Sequence, residues 1–301
     1  MSSYTSLNSY LLAIKLRSAK TVLVEGASDK KVLSRIFLEH HIAESNNPNF
    51  VIDDASIVND NTHMPSFGNK QKVIAIGSSP NEKLTFLADR EWDNWIFSPE
   101  LKEEPQQNSH SGFFTRGHSI ENYWFLEGAL SEFLKNIYSE HLNVNYFSEL
   151  SARFLKFAEF SAAYSLAVKD ANVITKTNGL LKSSHITWTG SEYELNQSIL
   201  SCLQSRQINI DIYSLFIEKY NLIRGAALDT LQWLCHGHLG EEALRCCAAN
   251  LAIAHDVNNA TIEAIERGYK FDKLCFDATY ISQLPINTIE PIDKIISWIK
   301  E

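Results

Sequence analysis

Two short apolar segments that each end in acidic residues place the strongest constraint on how this chain folds. Residues 21–24 lead into Glu25, and residues 84–88 lead into Asp89 and Glu91. Continuous apolar runs of this length are typical of strands buried within a parallel sheet. Because the carboxyl ends of parallel strands meet at one edge of a sheet, we expect these acids to gather there.

The segments around the two strands alternate between helical and strand patterns. Residues 29–40 and 69–76 have apolar side chains at helical spacing, and the second helix should end at Gly77. Residues 50–52 and 56–58 indicate another strand, interrupted at Asp53-Asp54. This order predicts an α/β fold with a mostly parallel sheet flanked by helices.

Helical periodicity dominates after Tyr123, and we predict helices over residues 130–138, 146–168, 192–203, 210–222, 241–254, 261–267 and 290–300. The last of these should pack against the protein, because its isoleucines fall on one side. A short hairpin is expected around Asn178-Gly179, between residues 173–175 and 186–188. The polar residues 98–111 should form an exposed loop. We therefore predict a catalytic α/β domain over residues 1–128 and a mainly α-helical domain over residues 129–301.

Charge and composition limit the possible partners. The 301 residues include 36 acidic and 27 basic side chains, giving a net charge of −9, which disfavours binding nucleic acid by a broad basic surface. Basic residues do cluster locally in the first half, where they are either solvated helix faces or a path for phosphates: Lys15, Arg17 and Lys20; Lys30, Lys31 and Arg35; Lys70 and Lys72. Five cysteines, an odd number, favour reduced thiols, and no apolar run is long enough to cross a membrane. We expect a cytoplasmic protein.

The acids are of the type that binds hard divalent cations. Glu25, Asp89 and Glu91 are candidate ligands of Mg²⁺ or Mn²⁺, with Glu121 as a further ligand or supporting acid. Asp89 and Glu91 would share a face if the strand continues through them. Each acid has a structural alternative, since carboxylates after strands also cap helices or form ion pairs. His118 is a candidate general acid or base, or a residue that positions the Glu121 loop.

These acids, with a third segment, resemble a known family. The Glu25-Gly26 pair followed by Asp89-Arg90-Glu91 is similar to the signature of the Toprim fold of topoisomerases, primases and OLD-type nucleases, although Glu91 stands where that family has Asp. Residues 116–123, Arg-Gly-His-Ser-Ile-Glu-Asn-Tyr, resemble a segment of the DUF4435 group of Toprim proteins. The resemblance implies a Toprim nuclease with Glu25, Asp89, Glu91 and Glu121 as its acidic site.

Within that group the chain is most similar to nuclease effectors of the PARIS anti-phage defence systems. This resemblance implies a toxic effector that an ABC/SMC-like ATPase holds inactive, and that cleaves host tRNA as a homodimer after release. The chain lacks the phosphate-binding loop of ATPases, so ATP hydrolysis would have to come from the partner.

Candidate contacts to nucleic acid occur in both halves of the chain. They are basic or histidine side chains, for which solvent exposure is the ordinary alternative: Lys30, Lys31, Arg116, Lys176, Lys182, His236 and His238. The Cys235-His236-Gly237-His238 segment also suggests zinc, but a second pair of ligands at the usual spacing is missing.

Two other functions are compatible with the same residues. The first is an OLD-like DNA nuclease. The second is a catalytically silent Toprim adaptor whose helical half binds an ATPase and whose acids serve no chemistry.

Overall fold

The structure, a computed structural model, describes residues 3–42, 50–97, 100–104, 112–268, 280–281, 283–285 and 288–301. These residues form an α/β fold, in which helices flank an all-parallel sheet of four strands and the C-terminal region is mostly helical. The fold class predicted from the sequence is confirmed.

The strands are β1 (Lys20–Val24), β2 (Phe50–Asp54), β3 (Leu84–Ala88), β4 (Trp95–Ile96), β5 (Lys102–Glu103), β6 (Phe113–Phe114), β7 (Ile186–Trp188) and β8 (Tyr193–Leu195). The helices are α1 (Leu7–Leu16), α2 (Ala27–Ile42), α3 (Asn69–Gly77), α4 (Glu127–Tyr138), α5 (Val144–Asp170), α6 (Ile174–Thr177), α7 (Ile199–Ser205), α8 (Ile212–Ile223), α9 (Leu228–Leu234), α10 (Gly237–Ala254), α11 (Asn259–Arg267) and α12 (Ile292–Lys300). Short 3₁₀ helices span Ala55–Ile57, Ile120–Trp124 and Ser183–His185.

The main sheet has the strand order β2-β1-β3-β6. Leu23 of β1 lies beside Phe86 of β3, and both belong to a core cluster with Val73 and Ile76 of α3. Every residue of β3 is buried, as are all residues of β1 after Lys20. Since successive side chains of a strand point to opposite faces, the sheet is covered on both sides.

The chain reverses its direction of travel across this sheet at β1. From β1 it moves to β2 on one side, and it then returns to β3 on the other side. In open parallel sheets, ligands bind in the crevice at the carboxyl ends of the two strands that flank such a reversal. The carboxyl ends of β1 and β3 are therefore where the topology favours a site.

By internal contacts the chain divides into two compact units. The first unit takes in Met1–Arg90, Pro105–Ile120 and Leu274–Glu301, and the second takes in Glu91–Glu104 and Glu121–Lys273, in each case as far as the described residues reach. The predicted domain boundary between residues 128 and 129 stays a prediction.

In the first unit, α1 is held to the sheet by an ion pair between a partly buried arginine and a buried aspartate. The Arg17 guanidinium lies 2.6 Å from the carboxylate of Asp53, which also accepts a hydrogen bond from the Tyr10 hydroxyl. Burial and the charge of Asp53 raise the pKa of Tyr10 well above its ordinary value. Helix α12 packs by its buried isoleucines, as expected, and Lys20 contacts its Trp298 carbonyl at 2.5 Å.

The second unit is built around the long helix α5, which packs against α8 and α10. From Phe157 to Val168 every residue of α5 is buried. Glu159 in this stretch is fully buried, and its carboxylate is paired with Lys156 and accepts hydrogen bonds from Tyr220 and Gly225.

Several element predictions are wrong. Strand β2 runs through Asp53 and Asp54, and residues 55–57 form a 3₁₀ helix because the Asp54 carboxylate caps it at Ser56. The segment before Asn178 is the short helix α6, and the hairpin is instead β7–β8, whose turn contains Gly190 at φ +98°. The helix expected over residues 192–203 is therefore confined to α7. Most of the predicted loop at 98–111 lies outside the described residues.

None of the helices in the described part of the chain combines the length and apolar character that crossing a bilayer requires.

Candidate active site

Glu25 and Asp89 meet at the carboxyl ends of β1 and β3. Each directly follows its strand, and the backbone N–H of Asp89 donates a hydrogen bond of 2.8 Å to Glu25 Oε1. Both side chains are partly buried. The next residue, Gly26, donates its N–H to the Asp29 carboxylate at 2.9 Å, which links the end of β1 to the first turn of α2. The structure thus brings together two of the predicted acids at the crevice that the topology favours.

Glu91 is placed differently from these two acids. Strand β3 ends at Ala88, and Glu91 has a left-handed backbone with φ of +58°. The condition for Asp89 and Glu91 to share a strand face is therefore not met. Glu91 is exposed and belongs to the second unit.

Arg90 ties the end of β3 to the segment that follows β6. Its guanidinium is buried and donates to the carbonyl of Arg116 at 3.0 Å, and its backbone N–H donates to Thr115 Oγ1 at 3.0 Å. From α3, Lys70 Nζ donates to the Arg90 carbonyl at 3.1 Å. These bonds fix the backbone that follows Asp89 and place a lysine ammonium at the Arg90 carbonyl.

His118 and Glu121, two further predicted site residues, fall in different units. Both are buried, His118 in the first unit and Glu121 in the second.

The Glu121 segment is joined to the loop before α10 by buried amide groups. Asn122 Nδ2 donates to the carbonyls of Gln232 at 2.6 Å and Cys235 at 2.9 Å, and Gln232 Nε2 donates back to the Asn122 carbonyl at 2.9 Å. Beside this connection, His238 Nδ1 lies 3.5 Å from Glu121 Oε1. The Trp92 indole donates to the Leu234 carbonyl at 2.9 Å. Glu121, His236 and His238 are thereby brought together at the head of α10.

His236 is partly buried and caps α10, since its Nδ1 accepts from the Leu239 N–H at 3.4 Å. Burial lowers the pKa of His236 to about 4, and the charge of His238 acts in the same direction, against the opposing effect of Glu121. His236 is therefore neutral at pH 7.

This lowered pKa predicts a loss of stability in mild acid. In the unfolded chain His236 binds a proton below about pH 6.5, whereas in the folded chain it does so only below about pH 4. Protonation therefore favours the unfolded chain, and the free energy of unfolding should fall by about 2 kcal/mol between pH 7 and pH 5. His236→Asn keeps a capping acceptor and removes the titration. Urea unfolding at both pH values should show a smaller acid loss in the variant than in the parent; equal losses would contradict the assignment.

The predicted nucleic-acid contacts are spread over both units. In the first unit, Lys30 and Arg116 are partly buried and Lys31 is exposed; in the second, Lys176, Lys182 and His238 are exposed. Lys182 lines a cleft of about 1000 Å³ between the 178–184 loop, α10 and α11. Within the clusters noted above, Arg17 and Lys20 serve the packing of α1 and α12.

The predicted metal site requires several oxygen or nitrogen ligands close together. Among the described residues, no group of three or more His, Cys, Asp or Glu side chains is arranged to hold a metal ion. Mg²⁺ commonly keeps several waters and binds proteins through one or two carboxylates together with substrate phosphates. Glu25 and Asp89 are two carboxylates at the ends of neighbouring strands, which is the number that such a water-rich ion requires. The other two candidate ligands, Glu91 and Glu121, belong to the second unit, and their part in a metal site stays a prediction.

Several residues at the site were not singled out by sequence reasoning. Arg90 lies inside the Asp89-Arg90-Glu91 motif without an assigned role, because its hydrogen bond with Thr115 follows no sequence pattern. Asn122 contacts Gln232, which lies 110 positions further along the chain. In the sequence, Lys70 stands out only as one member of a basic cluster. Lys70 lies in the first turn of α3, after the Gly68 cap, and helices between parallel strands begin near the carboxyl ends of those strands.

No family model matches this chain, and no curated protein matches it.

Proposed function

We propose that the chain is a metal-dependent endonuclease whose acidic centre is formed by Glu25 and Asp89. The observation that carries this proposal is the direct hydrogen bond between the Glu25 carboxylate and the Asp89 backbone, at the topological reversal between β1 and β3. Two acids at this place, with Lys70 bound to the carbonyl of the adjoining Arg90, suit a phosphate substrate and a divalent cation.

The residues contribute in distinct ways. Glu25 and Asp89 would hold Mg²⁺ or Mn²⁺, which when bound stabilises charge on the phosphate and lowers the pKa of an attacking water. The Asp89 N–H fixes the orientation of the Glu25 carboxylate. Arg90 holds the 115–117 segment in place, and Lys70 supplies a positive charge for a phosphate oxygen.

The substrate and the biological role follow from resemblance. The acidic segments and residues 116–123 resemble those of AriB, the nuclease effector of PARIS, so we propose that the chain cleaves host tRNA as a homodimer after release from an AriA-like ATPase. The net charge of −9 supports a compact RNA substrate over long duplex DNA, which is bound largely through phosphate neutralisation.

The test is cleavage of total tRNA and of supercoiled plasmid by the full chain with Mg²⁺, with EDTA and Glu25→Ala as controls. We expect tRNA to be cut and plasmid to stay intact, and both controls to be inactive. Cleavage of plasmid alone would replace this proposal with the OLD-like DNA nuclease. Inertness toward both substrates in a dimeric preparation would replace it with the silent adaptor that binds an ATPase, and activity that survives in Glu25→Ala would point to a contaminant.

A further inference from the structure

The head of α10 is held rigidly beside Glu121. Asn122 is fully buried and Gln232 is nearly so. The Asn122 side chain donates to the carbonyls of Gln232 and Cys235, and the Gln232 side chain donates to the Asn122 carbonyl. Unsatisfied amides at such depth would cost about 1–3 kcal/mol each, so this connection is not readily broken. The turn that carries His236 and His238 therefore has a fixed position relative to the Glu121 carboxylate.

His238 is the exposed member of this group. It lies in the first turn of α10, and its side chain is 68% exposed, whereas the Glu121 side chain is 10% exposed. Its Nδ1 faces Glu121 Oε1 at 3.5 Å. Because the two ring nitrogens of imidazole lie on different sides of the ring, Nε2 is directed away from the carboxylate.

Glu121 itself is poorly suited to meet a phosphate, because two anions repel unless a cation or a donor lies between them. His238 is such a donor, and the amino end of the 18-residue helix α10 adds a favourable potential for an anion. Orientation by a carboxylate at one ring nitrogen leaves the other nitrogen positioned for a ligand.

We propose that Glu121 is a positioning residue that orients His238, and that His238 Nε2 contacts a phosphate of the RNA substrate. The inference rests on the proposed RNA-cleaving function. It differs from the metal-ligand role that the sequence suggests for Glu121.

The experiment measures tRNA binding and metal binding separately on the full chain. Fluorescence anisotropy with labelled tRNA, in monovalent salt with EDTA, reports binding without cleavage, and electron paramagnetic resonance reports Mn²⁺ binding without RNA. The variants are Glu121→Gln, His238→Gln and the double substitution. His141→Gln is the matched control, because His141 is another exposed histidine of the same unit.

We expect Glu121→Gln to weaken tRNA binding by about tenfold, because an amide presents a donor or an acceptor to Nδ1 and no longer fixes which ring nitrogen carries the proton. We expect a similar loss in His238→Gln, as for loss of one polar contact. The double substitution should weaken it no further, since one residue acts through the other. Mn²⁺ affinity should be unchanged in Glu121→Gln, and His141→Gln should bind tRNA like the parent.

Three results would overturn the inference. Loss of Mn²⁺ binding in Glu121→Gln with tRNA affinity intact would make Glu121 a metal ligand. Additive losses of tRNA affinity in the double substitution would show that the two residues act independently. A parent chain that does not bind tRNA would rule out the proposed substrate. Failure of the proposed function would give a different result: tRNA would bind in a way that depends on His238, but adding Mg²⁺ would not lead to its cleavage.

Discussion

Replacing Glu25 with Gln is expected to lower Mg²⁺-dependent cleavage by about 10³-fold, and Asp89→Asn by a similar factor. Each substitution removes one of the two negative charges proposed to hold the cation, whose stabilisation of the reacting phosphate amounts to several kcal/mol. A loss of about 4 kcal/mol corresponds to the stated factor. Gln at position 25 keeps an oxygen that can accept from the Asp89 N–H, so the fold should be retained.

The matched control for these variants is Glu218→Gln, which removes the same charge from an exposed side chain on α8. Its cleavage rate should equal that of the parent. Single-turnover rates with saturating Mg²⁺ make the comparison. A Glu25→Gln chain that is folded and cuts at the parent rate would remove Glu25 from the active site.

The largest loss of stability is expected from Asp53→Ala. The substitution leaves the Arg17 guanidinium, whose side chain is only 21% exposed, without its carboxylate partner, and it removes the acceptor of the Tyr10 hydroxyl. Breaking a buried ion pair by removing one partner costs about 3–5 kcal/mol. We expect the free energy of unfolding to fall by about 3 kcal/mol, since Arg17 retains some contact with water. Urea unfolding at pH 7 measures this loss.

Glu39→Ala serves as the comparison, because Glu39 pairs with Arg35 on the surface of α2 with both side chains over 40% exposed. Exposed pairs of this kind contribute about 0.5 kcal/mol or less. Replacing Arg17 and Asp53 together by Met and Leu should recover much of the loss. Equal effects of Asp53→Ala and Glu39→Ala would show that burial of the Arg17–Asp53 pair contributes nothing.

The parts of the fold that could be predicted are those specified by local sequence. Strand β3 matches the apolar run at residues 84–88, because a strand covered on both faces needs a continuous apolar segment. Helix α3 ends at Gly77, where the Phe86 ring packs so closely that a larger residue would collide with it. The terminal helix α12 follows from its isoleucine spacing.

Other elements depend on competition between alternative local structures, such as a turn and a helix, which the sequence pattern alone does not decide. Asn178-Gly179 is a strong hairpin signal, yet the preceding residues form a helical turn in which the Thr177 hydroxyl donates to the Val173 carbonyl. The true hairpin turn at Gly190 has a weaker signal. Residues 56–58 look like a strand, but the Asp54 cap makes the backbone turn.

The same division applies to the candidate site. The meeting of Glu25 and Asp89 could be predicted, because parallel strands bring their carboxyl ends to one edge. The contact of Glu121 with His238 could not, since it depends on amide hydrogen bonds between Asn122 and a loop more than 100 residues away.

The central claim is that Glu25 and Asp89 share one divalent cation. A crystal of the full chain soaked in Mn²⁺ tests it directly through the anomalous signal of the metal. We predict a peak about 2.0–2.2 Å from a carboxylate oxygen of each residue, completed by waters, and its loss in Glu25→Gln. A peak coordinated elsewhere, or fully occupied Mn²⁺ that touches neither Glu25 nor Asp89, would contradict the account.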